Sequence, residues 1–152
     1  PVWEVGCHGC SCLADHLDGT LPHLNHHDVT LVAVSRAPLG EIEAYRRRMG
    51  WRFPWVSSFG SRFNHDFGVS FSKEELANGS VFYNFTDTPS DQAFDELHGL
   101  SAFARDADGT VFHTYSSYAR GAAALIATLL TLHRPPKGRN APSPLDVLLP
   151  PR

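Results

Sequence analysis

The sequence predicts an α/β domain in which helices flank a mixed sheet. Segments with apolar residues at helical spacing alternate with short β-branched segments, and this alternation is typical of α/β domains. The pair Asp108-Gly109 separates two runs of alternating polarity. An Asp-Gly pair in such a position predicts a β-hairpin, and hence an antiparallel part of the sheet.

The first helix is predicted from residue 10 to about residue 25. Its apolar face carries leucines at steps of four, four and three, namely Leu13, Leu17, Leu21 and Leu24. Gly19 and Pro22 weaken this helix, and we expect Pro22 to kink it. Residues 29–34 are β-branched and almost continuously apolar, which predicts a strand that is buried on both faces.

The later elements follow from turn residues and periodicity. Gly50 is expected to end a helix, and the aromatic-rich residues 58–71 are expected to form a loop. We predict helices over 38–49 and 120–133, strands over 53–57, 100–105 and 110–115, and a short strand or sheet edge over 81–85. Residues 1–134 would form the domain, and the proline-rich residues 135–152 an extended tail.

Composition excludes several classes of protein. The chain of 152 residues can bury one core. Its formal net charge is −3 and its longest basic run is Arg46-Arg47-Arg48, which argues against nucleic-acid binding. Its apolar stretches are much shorter than the roughly 18 residues that span a membrane. We therefore expect a cytoplasmic protein that binds neither nucleic acid nor membrane.

The three cysteines of the chain, Cys7, Cys10 and Cys12, lie close together. They cannot form a long-range disulfide framework, which favours redox chemistry or metal binding. Cys7 and Cys10 stand at the head of the predicted helix, with Cys7 at an exposed N-cap and Cys10 one turn away. Free N–H groups at a helix start stabilise a thiolate. Cys7 would then attack a disulfide and Cys10 would resolve the product; a chance pair of buried cysteines is the alternative.

A metal site is the competing interpretation. Cys12 extends the motif to Cys-x-x-Cys-x-Cys, and His16 lies one helical turn beyond it. Thiolates combined with imidazole suit copper(I) or zinc, and Cys7, Cys10, Cys12, His16 and His113 are the candidate ligands. Cys12 could equally be a small apolar filler. His113 is either a hydrogen-bonded strand residue or a catalytic base or ligand near the thiols. A third hypothesis is an interaction module with a degenerate site.

The order of elements after the cysteines is that of a thioredoxin fold from its active-site helix onward. The sequence also resembles a bacterial family of unknown function, DUF899, whose members are predicted dithiol–disulfide oxidoreductases with a thioredoxin-like fold. The resemblance covers nearly all of residues 3–139. It rests on Cys7-His8-Gly9-Cys10-Ser11 and on residues 14–15, 29–39, 49–51, 53–58, 63–64, 66–69, 98–101, 111–116, 118–121 and 136–139. It implies a redox pair at Cys7 and Cys10 that acts on protein or small-molecule disulfides. Cys12 departs from the family, which usually has an aromatic residue there.

One strand of that fold is missing from the sequence. In a thioredoxin fold a strand directly precedes the cysteine motif and lies between the strands expected at 29–34 and 100–103. Residues 1–6 are too short and irregular to supply it. Without it both neighbours would expose unpaired backbone groups along an apolar surface. We therefore expect that these residues are not the whole folded protein, and that a strand from an upstream segment or another chain fills the gap.

Overall fold

The computed structural model describes residues 6–122, and the expected tail and most of the last predicted helix lie outside this range. The helices are α1 (His8–His26), α2 (Leu39–Met49), α3 (Phe63–Asp66), α4 (Lys73–Ala77) and α5 (Ala119–Ala122), with a 3₁₀ turn at Ser90–Gln92. The strands are β1 (Ala33–Ser35), β2 (Trp55–Ser57), β3 (Ser80–Tyr83), β4 (Thr86–Pro89), β5 (Gly99–Arg105) and β6 (Val111–Tyr118). The predicted mixed α/β class is confirmed.

Sheet topology differs from the single mixed sheet that the sequence suggested. The described strands form three two-stranded sheets: parallel β1–β2, antiparallel β3–β4 and antiparallel β5–β6. No pairing joins β1 to β5 within residues 6–122. In the first sheet, α2 connects the end of β1 to the start of β2. Two parallel strands need such a long crossover connection, because a tight turn cannot join them.

The first strand is shorter and more exposed than its sequence predicted. β1 begins only at Ala33, and Val29 and Val32 are 47% and 45% exposed. The prediction of a strand buried on both faces is therefore wrong for the described part of the chain. A continuous apolar run is typical of a strand with neighbours on both sides, whereas within residues 6–122 β1 is paired with β2 alone.

The two long helices match their predicted bounds closely. α1 continues without interruption through Gly19 and Pro22, because a missing N–H near the end of a helix removes a single backbone hydrogen bond. Gly50 adopts a left-handed conformation, with φ 73°, at the end of α2, a conformation that glycine reaches at little cost. Ile42 on the inner face of α2 is 2% exposed.

Turn chemistry explains both hairpins. The predicted β5–β6 hairpin is confirmed, and the Asp106 carboxylate accepts hydrogen bonds from the backbone N–H groups of Asp108 and Thr110 at 3.0 and 2.9 Å. The β3–β4 hairpin was not predicted, because its turn residues are Asn84 and Phe85, both with positive φ. Two such residues match a type I′ turn, but phenylalanine is seldom found in that conformation.

Two groups of apolar side chains hold the described fold. One core consists of Val69, Phe71, Val81 and Tyr83, packed by half-buried residues of the neighbouring segments. The second group lies between α2 and β2 and is called the aromatic cluster here. It consists of Tyr45, Trp51, Phe53 and Trp55, with neighbouring ring centroids 5.5–6.4 Å apart.

A buried polar network fixes the loop that follows β2. Asn64 is 8% exposed; its side-chain oxygen accepts a hydrogen bond from Ser58 at 2.6 Å, and its amide donates to Glu96 at 3.0 Å. Glu96 in turn accepts from Ser70 and forms an ion pair with Arg36 at 2.7 Å. Arg36 and Ser58 directly follow β1 and β2, so the network ties the carboxyl ends of both parallel strands to the second half of the chain.

The substitution Asn64→Ala should lower the free energy of unfolding by about 2 kcal/mol, because it leaves the buried Ser58 hydroxyl without its acceptor and removes one of the donors to Glu96. Urea denaturation of the full chain measures this change. Asn25→Ala, which alters an exposed residue at the end of α1, is the control and should change stability by less than about 0.5 kcal/mol. Equal effects of the two substitutions would contradict the role of the network.

Candidate active site

Cys7 caps the first helix, as predicted. It is the N-cap residue of α1, with φ −57° and ψ 120°, and its sulfur accepts a hydrogen bond from the backbone N–H of Cys10 at 3.3 Å. The first N–H groups of a helix have no partner within the helix. The Cys7 sulfur satisfies one of them and lies at the positive end of the helix dipole.

The two sulfur atoms of the motif face each other. The Cys10 thiol donates to the Cys7 sulfur, with an Sγ–Sγ distance of 2.7 Å, and both residues are free thiols. A disulfide bond measures about 2.05 Å, so oxidation of the two thiols to a disulfide would require only a small movement of either side chain. Cys7 is half-buried and Cys10 is exposed, whereas the sequence suggested an exposed N-cap cysteine.

The electrostatics of the pair distinguish its two members. Although Cys10 is exposed as a residue, partial burial of its thiol is the largest of the effects that raise its pKa to about 12. The hydrogen bond to Cys7 and the charge of Cys7 raise the pKa of Cys10 further. Cys10 therefore keeps its proton at neutral pH, and Cys7 is the sulfur that accepts hydrogen bonds from both the Cys10 thiol and the Cys10 backbone.

The other metal-ligand candidates do not join this pair. Cys12 is half-buried and lies two residues beyond Cys10 on α1, which places it about 200° further around the helix. His16 is one turn beyond Cys12, on the same side. Within residues 6–122, no three His, Cys, Asp or Glu side chains come close enough together to hold a metal ion.

His113 lies in the β5–β6 hairpin. Its Nε2 is 2.7 Å from the Ser116 hydroxyl and 3.0 Å from the Tyr115 carbonyl oxygen. Its ring stacks on Phe103, with centroids 5.0 Å apart. These contacts are those of a hydrogen-bonded strand histidine, and in the described structure its hydrogen bonds go to hairpin residues rather than to the cysteines.

A serine and a tyrosine contact the cysteine motif from its inner side. The Ser11 hydroxyl lies 2.9 Å from the Cys7 carbonyl oxygen and 2.9 Å from the Tyr45 hydroxyl. Tyr45 belongs to α2 and to the aromatic cluster, and its hydroxyl also lies against Gly6, where an added Cβ would overlap it. Through these contacts α2 touches the chain on both sides of Cys7.

Two acidic residues attach the middle of α1 to the segment after α2. Asp15 accepts a hydrogen bond from the Trp51 indole N–H at 2.6 Å. Asp18 accepts from the Arg52 backbone N–H at 2.6 Å and from its guanidinium at 3.0 Å. The backbone hydrogen bond from Arg52 is the largest of the effects that lower the pKa of the Asp18 carboxyl, and the Arg52 guanidinium lowers it further.

The sequence pattern predicts the cysteine pair but not these supporting residues. A signal for them exists, because Cys7, Ser11, Asp15 and Asp18 follow one another at steps of four, four and three residues. Such spacing places them on one face of α1, about a third of a turn from the leucine face. A polar face that starts at the N-cap cysteine predicts attachment of the helix to another element, although it does not name the partner.

Asp18→Asn should destabilise the protein at neutral pH and have little effect in strong acid. A carboxyl whose pKa is lowered on folding contributes its stability above its unfolded pKa of about 3.9, and this contribution is lost as the pH falls through the folded pKa. Urea midpoints of both proteins at about pH 7 and about pH 3 measure the difference. Asp108→Asn in the hairpin turn is the matched control. If Asp18→Asn lowered the urea midpoint equally at both pH values, the ionised Asp18 carboxylate would not be the stabilising group.

Comparison with known proteins gives a family and no named activity. A family model described as "Bacterial protein of unknown function (DUF899)" matches residues 1–148. No curated protein and no solved structure matches the chain. In the described part of the chain, no helix is both long enough and apolar enough to cross a membrane. Because the family match extends over nearly the whole sequence, the chain belongs to the DUF899 family of bacterial proteins.

Proposed function

We propose that this protein is a thiol–disulfide oxidoreductase in which Cys7 attacks and Cys10 resolves. The observation that supports the proposal most strongly is the pair of facing sulfurs, 2.7 Å apart, at the N-terminus of α1. Two free thiols at this distance can become a disulfide without any rearrangement of the backbone. The helix terminus favours the thiolate form of the sulfur that caps it.

The reaction proceeds by two exchanges. The Cys7 thiolate attacks one sulfur of a substrate disulfide, so a Cys7–substrate disulfide forms and the other substrate sulfur leaves as a thiolate. Cys10 then loses its proton to that leaving thiolate, and its sulfur attacks Cys7. The Cys7–Cys10 disulfide forms and the second substrate thiolate is released. The substrate gains two electrons and the cysteine pair loses two; a thiol reductant restores the pair by the reverse exchanges.

The different properties of the two thiols support this order of events. Cys10 donates its thiol hydrogen to Cys7, and its pKa is raised to about 12. A protonated thiol is a poor nucleophile, so Cys10 does not compete with Cys7 for the first attack. Once Cys7 is bound in a mixed disulfide, the charge of its thiolate is gone and Cys10 loses its hydrogen-bond acceptor. Cys10 then ionises more easily and attacks at close range.

The proposal extends to the fold and the setting. A thioredoxin-like arrangement accounts for a helix capped by cysteine, a parallel β1–β2 pair with α2 between its strands, and a later antiparallel hairpin. It also accounts for the exposed Val29 and Val32 just before β1, if a strand from an upstream segment or another chain lies between β1 and β5. We assign the activity to the cytoplasm, where cellular reductants keep such a pair reduced. The substrate is a protein or small-molecule disulfide, and no step is assigned to His113.

Replacing Cys7 by serine should abolish reduction of insulin disulfides, measured by the turbidity of the released B chain with dithiothreitol as reductant. Cys10→Ser should also lose turnover, but it should accumulate a mixed disulfide at Cys7 that intact-mass measurement detects. Cys12→Ser is the matched control and should retain activity, because Cys12 lies on another side of α1. Turnover that survives in Cys7→Ser would refute the proposal.

Protein purified without chelators should contain no stoichiometric metal. Elemental analysis tests this, because a copper or zinc ion bound by Cys7, Cys10, Cys12, His16 or His113 would occupy the thiols that the exchange reaction needs. About one equivalent of either metal per chain would favour the metal-site hypothesis instead. A metal-free protein whose Cys7 reacts no faster than an ordinary cysteine would favour an interaction module.

A further inference from the structure

We propose that Tyr45 and Ser11 are positioning residues that hold Cys7 at the start of α1. This inference rests on the proposed function, since it concerns the same cysteine pair. It goes further because it assigns the arrangement of the nucleophile to a hydrogen-bonded chain that begins on another helix. Tyr45 lies on α2, 34 positions from Ser11 along the sequence.

Hydrogen counting fixes the direction of this chain. The serine hydroxyl has one hydrogen, and Ser11 donates it to the Cys7 carbonyl oxygen at 2.9 Å. In its 2.9 Å contact with Tyr45, Ser11 must therefore accept, and the Tyr45 hydroxyl must donate. The chain runs from the Tyr45 hydroxyl to Ser11 and on to the Cys7 carbonyl, which also accepts the Ser11 backbone N–H at 2.9 Å.

The same hydroxyl restricts the residue that precedes Cys7. An added Cβ on Gly6 would overlap the hydroxyl oxygen and the adjacent ring carbon of Tyr45. The Gly6 backbone therefore lies directly against the tip of the Tyr45 side chain. Tyr45 acts on Cys7 from two directions, through van der Waals contact with the preceding residue and through hydrogen bonds to the Cys7 carbonyl.

Tyr45 is itself held firmly enough for this role. Its ring lies against Trp51 and Trp55, with centroids 5.6 and 6.1 Å away. The Arg48 guanidinium covers the ring at 4.5 Å from its centroid, within the range of a cation–π contact. Packing on these sides leaves the hydroxyl little freedom to move away from Ser11.

This hydrogen-bonded chain matters because the position of the Cys7 sulfur depends on the backbone conformation of Cys7. The sulfur lies 3.3 Å from the Cys10 N–H only while Cys7 keeps its non-helical N-cap conformation. Without the Tyr45 hydroxyl, Ser11 loses a donor and Gly6 loses the hydroxyl part of its contact with the Tyr45 side chain. The sulfur then spends less time at the helix terminus, and the thiolate loses part of its stabilisation.

Tyr45→Phe tests the proposal, because it removes only the hydroxyl. We expect the rate of iodoacetamide alkylation at Cys7, followed by peptide mass spectrometry at neutral pH, to fall about threefold, because the sulfur spends less time at the helix terminus. The equilibrium constant with glutathione should shift about threefold towards the Cys7–Cys10 disulfide, because the reduced form is the one that loses stabilisation. Tyr115→Phe, an exposed tyrosine of β6, is the matched control.

Ser11→Ala should have the same effect as Tyr45→Phe, and the double variant should be no worse than the stronger single variant, because both act through one chain. Unchanged alkylation and an unchanged glutathione equilibrium in Tyr45→Phe, faster alkylation, or additive effects in the double variant would each overturn the proposal. Ser11→Ala keeps the test decisive if Tyr45→Phe fails to fold. Alkylation needs no disulfide substrate, so the result is separate from the insulin assay of the proposed function.

Discussion

The start of α1 has N–H groups that no preceding turn of helix can satisfy, and the described site depends on how this need is met. Most helices meet it with the oxygen of serine, threonine, aspartate or asparagine. Here the acceptor is the sulfur of Cys7, 3.3 Å from the Cys10 N–H. The group that stabilises the helix end is therefore also the group that can react, and its partner thiol is one turn away. The contacts between the Cys7 sulfur and Cys10 therefore both cap the helix and form the basis of the proposed chemistry.

A cap of this kind is useful only if the helix is held in place. α1 has no fully buried residue, so burial alone does not fix it. The polar face of the helix carries out this task, through Ser11 with Tyr45, Asp15 with Trp51, and Asp18 with Arg52. All three partners belong to α2 or to the residues that directly follow it. The aromatic cluster supports the N-terminal end of the helix, which carries the cysteine pair, and the Asp18–Arg52 contact supports its middle.

Local chemistry was predictable from the sequence, and contacts between distant segments were not. The i, i+3 spacing of Cys7 and Cys10, the glycine after α2 and the Asp-Gly turn each depend on a few adjacent residues, and the structure has all three features. The Tyr45 contact depends on the packing of α2 against α1, which no local pattern specifies. The valines before β1 predicted a strand buried on both faces, because apolar side chains are more stable when buried. Within residues 6–122, however, the second edge of β1 has no paired strand.

The most direct test of the account is the redox state of each cysteine in the full-length chain across a series of glutathione buffers. Rapid alkylation followed by mass spectrometry of the peptides gives the oxidised fraction at each position. We predict that Cys7 and Cys10 change together in a single two-electron transition while Cys12 stays reduced. Cysteines that form no Cys7–Cys10 disulfide in any buffer, or a disulfide that involves Cys12 instead, would contradict it.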